Sequence, residues 1–226
     1  TLDNYVIWVP EGENRTVVLR VTIPFSTHLC TEDEVTVTAT AREYPVSESK
    51  ICIAHAAKRL EVTEDAYVTE HYPDTNFNEN SLYIGRYENW WQYAYLKFGN
   101  LAEIPPGANI IEARLYLFCW RAYGSPQEML CTGVEDDSWE EIGVTWNNKP
   151  TLGATLDTEI VSIGAEIEPR AYYWDVTSFV RNEFAGDKIA SFCVRPVDSC
   201  PPSTNRRFEA RDWWDNRVRP FLRVIY

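Results

Sequence analysis

The feature that most restricts this chain is a two-residue alternation of side-chain type. In residues 113–120, Leu115, Leu117 and Cys119 fall on one side while Tyr116, Phe118 and Trp120 fall on the other. In residues 92–98, Ala94, Leu96 and Phe98 oppose Tyr93, Tyr95 and Lys97. Successive side chains of a strand point to opposite faces, so this period specifies β-strands rather than helices. The same period runs through Val17, Leu19, Val21 and Ile23, and again through Val35, Val37 and Ala39. One face of the middle strands is therefore aliphatic and the other aromatic. Rings with polar tips suit sugar stacking, because a pyranose offers C–H bonds to a flat ring and hydroxyls to its edge. The competing reading is that long loops cover the aromatic face and make it core.

A loop to watch is residues 135–150, EDDSWEEIGVTWNNKP. Asp136, Asp137, Glu140 and Glu141 cannot be buried unpaired, so the charges belong at water while Trp139 and Trp146 anchor the segment to the core. Asn147, Asn148 and Pro150 are turn chemistry. Asp136 and Asp137 are candidate ligands for a structural calcium, which takes several oxygens, although no EF-hand spacing is present. No other cofactor is expected.

Charge and cysteine content set the class of partner. The chain has 34 acidic and 21 basic residues, a net charge of −13. That balance disfavours nucleic acid and anionic membranes as partners and favours an extracellular or cell-surface location. No apolar run is long enough to span a bilayer, and neither an initiator methionine nor a signal peptide is present, so the chain reads as a mature or excised product. Six cysteines lie as three sequence-close pairs without a C-x-x-C or a neighbouring histidine, which predicts the disulfides Cys30 with Cys52, Cys119 with Cys131, and Cys193 with Cys200. Six reduced, buried thiols are the alternative. A sequon at Asn14 fits a secreted protein.

Residues 1–57 carry four strands at most, against about seven for a free-standing immunoglobulin-like sandwich. They resemble the immunoglobulin-like modules of archaeal and bacterial surface proteins through GENRTVVLRVTIP and TEDEVTVTATA, with opening strands absent. Open edges and a bare face built from Val17, Leu19, Val21, Val35 and Val37 invite a strand from outside, with residues 1–9 as a candidate donor.

After the charged connector HAAKRLE, residues 62–226 present an ordered series: DAYV at 65–68, YLKF at 95–98, IPPGA at 104–108, ARLYL at 113–117, DSW at 137–139, TWN at 145–147 and WDVT at 174–177. This series resembles the DNRLRE, or disaggregatase-related, domain family, which is grouped with the carbohydrate-binding modules. The resemblance implies a jelly-roll β-sandwich found outside the cell beside enzymes or in surface proteins, and it transfers no ligand residue. The expected fold is all-β, an incomplete immunoglobulin-like sandwich over 1–57 followed by a jelly-roll β-sandwich over 58–226.

Glycan-binding candidates come from the alternation and from residues outside it. Tyr93, Tyr95, Tyr116 and Trp120 belong to the aromatic face. Trp90-Trp91 and Trp213-Trp214 cannot point inward together from one strand, so at least one of each pair is expected at a surface. Arg206, Arg207 and Arg211, within a local arginine cluster, suit an acidic glycan, unless Glu209, Asp212 and Asp215 neutralise them. His28, His55 and His71 sit in no metal or nucleophile motif, and no G-x-S-x-G, H-E-x-x-H or phosphate loop occurs, so no enzyme activity is expected. The leading expectation is a non-catalytic surface protein used in adhesion and structural assembly. It would join other copies or adjacent modules into a filament by strand addition. The alternative is a carbohydrate-binding module of a secreted polysaccharide-degrading enzyme, with polysaccharide as partner.

Overall fold

The computed structural model describes residues 33–40, 47–54, 57–162 and 169–226, the first two stretches as backbone. The chain divides into two compact units, Thr1–Ala54 and His55–Tyr226. In the first, β1 (Asp33–Thr40) pairs antiparallel with β2 (Ser47–Ala54), from Asp33 opposite Ala54 to Thr40 opposite Ser47. The strands expected at 17–23, the 1–9 donor segment, Asn14 and Cys30 lie outside the described residues.

The second unit is an all-β sandwich. Among the described residues its strands are β3 (Ala57–Glu61), β4 (Glu64–Thr69), β5 (Ser81–Tyr87), β6 (Trp90–Phe98), β7 (Glu112–Ala122), β8 (Gln127–Val134), β9 (Thr155–Val161), β10 (Arg170–Asp175), β11 (Ala190–Pro196), β12 (Asn205–Glu209) and β13 (Phe221–Ile225), with one α-helix, α1 (Thr177–Ala185). They pair antiparallel in the order β3-β13-β7-β12-β5-β6-β11-β8-β9, with β10 added to β7 and β4 to β6. Neighbours in this order are mostly distant in sequence, the crossover pattern of a jelly roll. No helix among the described residues is long and apolar enough to cross a membrane.

The alternation in β7 appears as expected. Ala113, Leu115, Leu117 and Cys119 are fully buried, whereas Arg114, Tyr116, Phe118 and Trp120 are half-exposed. The buried set joins Ala94, Leu96, Phe98, Phe192, Val194 and Trp174 in the main core. Trp174 sits there because its indole N–H finds the Met129 carbonyl at 2.9 Å.

β6 differs, because both of its faces are buried. A second core of Ala66, Val68, Tyr95, Val134, Trp139, Val144 and Cys193 lies over the side away from the main core, with Tyr93, Trp146 and Leu152 at its margin. The 135–150 loop forms its roof. Trp139 packs edge-on to Tyr95 at 5.9 Å and donates its indole N–H to Ser191 Oγ at 3.3 Å. Asn76 holds the loop from below, donating to Glu141 O at 2.8 Å and Val144 O at 2.7 Å.

The acidic residues of the loop are not all at water, contrary to expectation. Glu141 is 8% exposed; it accepts the Asp65 N–H at 3.1 Å and pairs with Arg211 at 2.8 Å. Lys97 pairs with Glu64 at 2.8 Å and donates to the Trp139 carbonyl, so the buried charges are compensated in place.

The expected bridges Cys119–Cys131 and Cys193–Cys200 are absent: all four cysteines are free and buried. Closeness in sequence did not become closeness in space. Cys119 is on β7, whose neighbours are β10, β12 and β13, whereas Cys131 is on β8, which lies between β11 and β9. Cys193 faces the second core, while Cys200 donates to the carbonyls of Pro201 and Thr204.

Roofing by one tryptophan should be visible in stability. Trp139→Ala is expected to destabilise by about 3 to 5 kcal/mol in denaturant unfolding, whereas Trp214→Ala, at a residue 77% exposed, changes stability by less than about 0.5 kcal/mol.

Candidate functional site

The uncovered face of β7 gathers rings and cations from four strands. Tyr116 is flanked across the sheet by Phe221 of β13 and Tyr173 of β10, its register partners. It stacks on Phe221 at 4.7 Å and 4° between planes and lies 5.5 Å from Tyr173, which is 43% exposed. Guanidiniums lie over the rings: Arg59 at 4.0 Å from Phe221, Arg114 at 4.7 Å from Tyr173 and Arg223 at 5.6 Å from Tyr116. Each of these arginines has a carboxylate. Glu61 takes Arg59 at 2.6 Å, and Glu112 takes Arg114 at 2.7 Å and Arg223 at 2.5 Å.

At the Trp120 end the charge balance changes. Arg206 and Arg207 are neighbours on β12 and point to opposite sides. Arg206 is fully buried and donates to four backbone carbonyls: Val161 at 3.1 Å, Tyr123 at 2.5 Å, Asn205 at 3.0 Å and Ser125. Arg207 is half-exposed, 4.9 Å from the Tyr83 ring, 5.2 Å from Tyr123 and 5.7 Å from Trp120. It forms no ion pair among the described residues, and its Nε is buried without a hydrogen-bond partner. A glycine makes this geometry possible. Gly85, at φ +135, lets β5 approach β12 so closely that a Cβ would stand 2.3 Å from Thr204 O.

The other expected glycan residues scatter. Tyr95 is fully buried beneath Trp139 and has no surface to offer. Arg206 serves backbone carbonyls, and Arg211 holds Asp65, Thr63 and Glu141 together. Trp91 and Tyr93 are half-exposed beside Trp146, with Arg86 over Trp91 at 4.7 Å. Trp90 stands apart, 39% exposed, among rings from another loop. Trp213 and Trp214 are 6.3 Å apart near a cavity of about 500 Å³. That cavity is lined by Arg211 and Arg219 but equally by Glu61 and Asp212. Of the sequence-derived set, Tyr116, Trp120 and Arg207 come together in one aromatic and cationic face. Tyr123 joins them from just past the end of β7, three residues beyond Trp120, and Tyr83, Tyr173 and Phe221 join from strands that no sequence spacing links; the alternation Tyr172, Tyr173, Trp174 was the one available sign of Tyr173.

The calcium expectation divides between its two residues. Asp136 closes its own turn by accepting Ser138 N–H at 3.0 Å. Asp137 instead meets Glu183 and Asp187, with one carboxylate oxygen from each lying within 4.8 Å of the others. Burial first, then the neighbouring carboxylates, holds Asp137 and Glu183 above the usual carboxyl range.

A β-sandwich with an open, ring-lined and cationic face has the make-up of a ligand-binding module. The chain belongs to carbohydrate-binding module family 96, whose family model matches residues 56–213. This is a family of binding modules rather than catalysts. A gellan lyase from Bacillus sp. is 26% identical over 175 residues, which make up 75% of this chain and 7% of that lyase. The match thus spans a small part of a much longer enzyme. Neither comparison bears on the immunoglobulin-like reading of residues 1–57 or on filament assembly and adhesion.

Two buried carboxyls set a pH dependence of stability. Burial raises Asp65 to about 7 against 3.8, and Glu141 beside it raises it further, while the Arg211 N–H works in the opposite sense. Burial alone raises Glu209 to about 7 against 4.5, and its Oε2 has no partner. Between pH 4 and 7 the folded protein keeps protons that the unfolded chain has lost, so stability falls as pH rises through that window. Thermal unfolding at pH 5 and pH 8 should show the higher midpoint at pH 5, and Asp65→Asn should shrink the difference.

The thiols give a second check. Burial pushes Cys119 and Cys193 up to about 12, Cys131 well above its usual range and Cys200 upward. None of the four should react with a thiol reagent in the native state, and all four should react after unfolding without reductant.

Proposed function

We propose that residues 55–226 are the carbohydrate-binding module of a secreted polysaccharide-degrading enzyme, and that they hold an acidic polysaccharide on the face from Tyr116 to Arg207. The observation that carries this reading is Arg207, a guanidinium without a carboxylate among the described residues in a chain of net charge −13, set among three aromatic rings. A sugar ring stacks on Trp120 while its carboxylate takes the guanidinium edge in a two-pronged hydrogen bond, geometry that arginine offers and lysine does not. The paired arginines on Phe221, Tyr173 and Tyr116 extend the surface along the strand without adding net charge. Family membership and the likeness to a lyase acting on gellan support polysaccharide as the partner. An extracellular location follows from that role. The family and the lyase support this reading over strand-joined assembly, which draws nothing from either comparison.

Affinity electrophoresis in gels containing gellan tests the proposal. Arg207→Gln is expected to weaken retardation by roughly 10- to 100-fold in apparent affinity, the size of one charge-assisted hydrogen-bond pair. Trp120→Ala should cost about 10-fold, and wild-type binding should weaken as salt is raised. Retardation that ignores both substitutions and the salt would refute the assignment.

A further inference from the structure

We propose a second carbohydrate subsite at the end of the sandwich, built on His71, Tyr72, Tyr87 and Trp90 and selective for an uncharged pyranose unit. It rests on the reading of this chain as a carbohydrate-binding module, but not on Arg207.

Three large rings are held at the surface there. Tyr72 is 53% exposed, Tyr87 50% and Trp90 39%. The His71 ring stands between them, 4.3 Å from Tyr72, 5.5 Å from Trp90 and 6.3 Å from Tyr87. Tyr87 and Trp90 face each other across the two-residue turn between β5 and β6, where Glu88 takes a left-handed φ of 53. Aromatic area of this size at the surface marks a contact site rather than core.

The platform is fixed before any ligand arrives. Behind it, Tyr72 meets Phe77 at 6.1 Å, and Phe77 stacks on the buried Tyr67 at 4.8 Å. The loop is tied by Thr75 N–H to Tyr72 O at 3.1 Å, by Asn147 N–H to Pro73 O at 3.0 Å and by the Asn147 amide to Asp74 at 2.7 Å. Rings that need not be ordered on binding keep more of their stacking energy as affinity.

Charge selects the occupant. The loop and turn that carry the rings contribute Glu70, Asp74 and Glu88. Arg86, the residue before Tyr87, is already tied to Asn89 O at 2.9 Å and Cys200 O at 3.2 Å and lies over Trp91. Polyanions are repelled by such a rim, whereas a neutral sugar finds flat rings with phenol, indole and imidazole groups at their edges. Tyr83, in the Arg207 cluster, and Tyr87 are four residues apart on β5, about 13 Å at the rise of a strand. One polysaccharide with both charged and neutral units can therefore touch both subsites.

Calorimetric titration of the full chain with four neutral hexasaccharides, of β-glucose, β-mannose, β-xylose and β-galactose, tests the inference beside gellan. At least one neutral hexasaccharide should bind the wild type. Trp90→Ala and Tyr72→Ala should each weaken that binding by about 10-fold or more, while Arg207→Gln leaves it within about 2-fold. Binding of none of the four, or binding indifferent to both ring substitutions, overturns the subsite and shows a ring cluster that only braces the turn. If Trp90→Ala lowers the unfolding midpoint, Tyr72→Ala and Tyr87→Ser decide. A change in oligomeric state instead of sugar binding overturns the inference in favour of a self-contact. Gellan binding that needs Arg207 without neutral binding removes this subsite alone; neutral binding that needs Trp90 without gellan binding removes the acidic-polysaccharide reading alone.

Discussion

Arg206 carries a charge into a fully buried position with no carboxylate partner among the described residues, and much of the aromatic face follows from how that charge is satisfied. Its guanidinium is held by carbonyls of β12, of the β7–β8 connection and of the end of β9. An unpaired ion in the interior would cost several kcal/mol, so these carbonyls cannot drift without exposing that penalty. The backbone of β12 is thereby fixed, and alternation sends the next residue, Arg207, outward among Tyr83, Trp120 and Tyr123. A mobile strand would let Arg207 find one of the chain's many carboxylates; a fixed one keeps it unpaired.

The two faces that alternation makes aromatic are used in opposite ways. On β6 the 135–150 loop lies over Tyr95 and converts that side into a second core, locked by Glu141, Asp65, Arg211, Lys97 and Glu64. On β7 the face of Tyr116, Phe118 and Trp120 stays half-exposed, and β10 and β13 widen it with Tyr173 and Phe221. One sheet surface gives stability and the other gives contact area. The roof is tied down through buried carboxyls, whereas the open face sets guanidinium groups over its rings.

Much of this was legible in the residues. Alternation in 92–98 and 113–120 specified strands and their apolar sides, and the polar loop with Trp139 and Trp146 read as an anchored excursion. Which aromatic face the loop would cover was not legible, because that depends on strand order rather than on local pattern. The Arg206-Arg207 dipeptide required one residue inward and one outward, but only the carbonyl cage shows which. Two of the cysteine pairs misled for the same reason: strand order puts Cys119 and Cys131 on strands that are not neighbours, and Cys193 faces the second core while Cys200 sits in the turn beyond β11. Tyr173 and Phe221 were passed over because nothing short of the register places them beside Tyr116.

The central claim is that Arg207 receives a carboxylate while Trp120 receives the sugar ring that bears it. A crystal structure of the chain with a gellan-derived oligosaccharide tests this most directly. The account requires a uronate carboxylate within about 3 Å of the Arg207 guanidinium and a pyranose against Trp120. A ligand bound elsewhere, with Arg207 still unpaired, would contradict it.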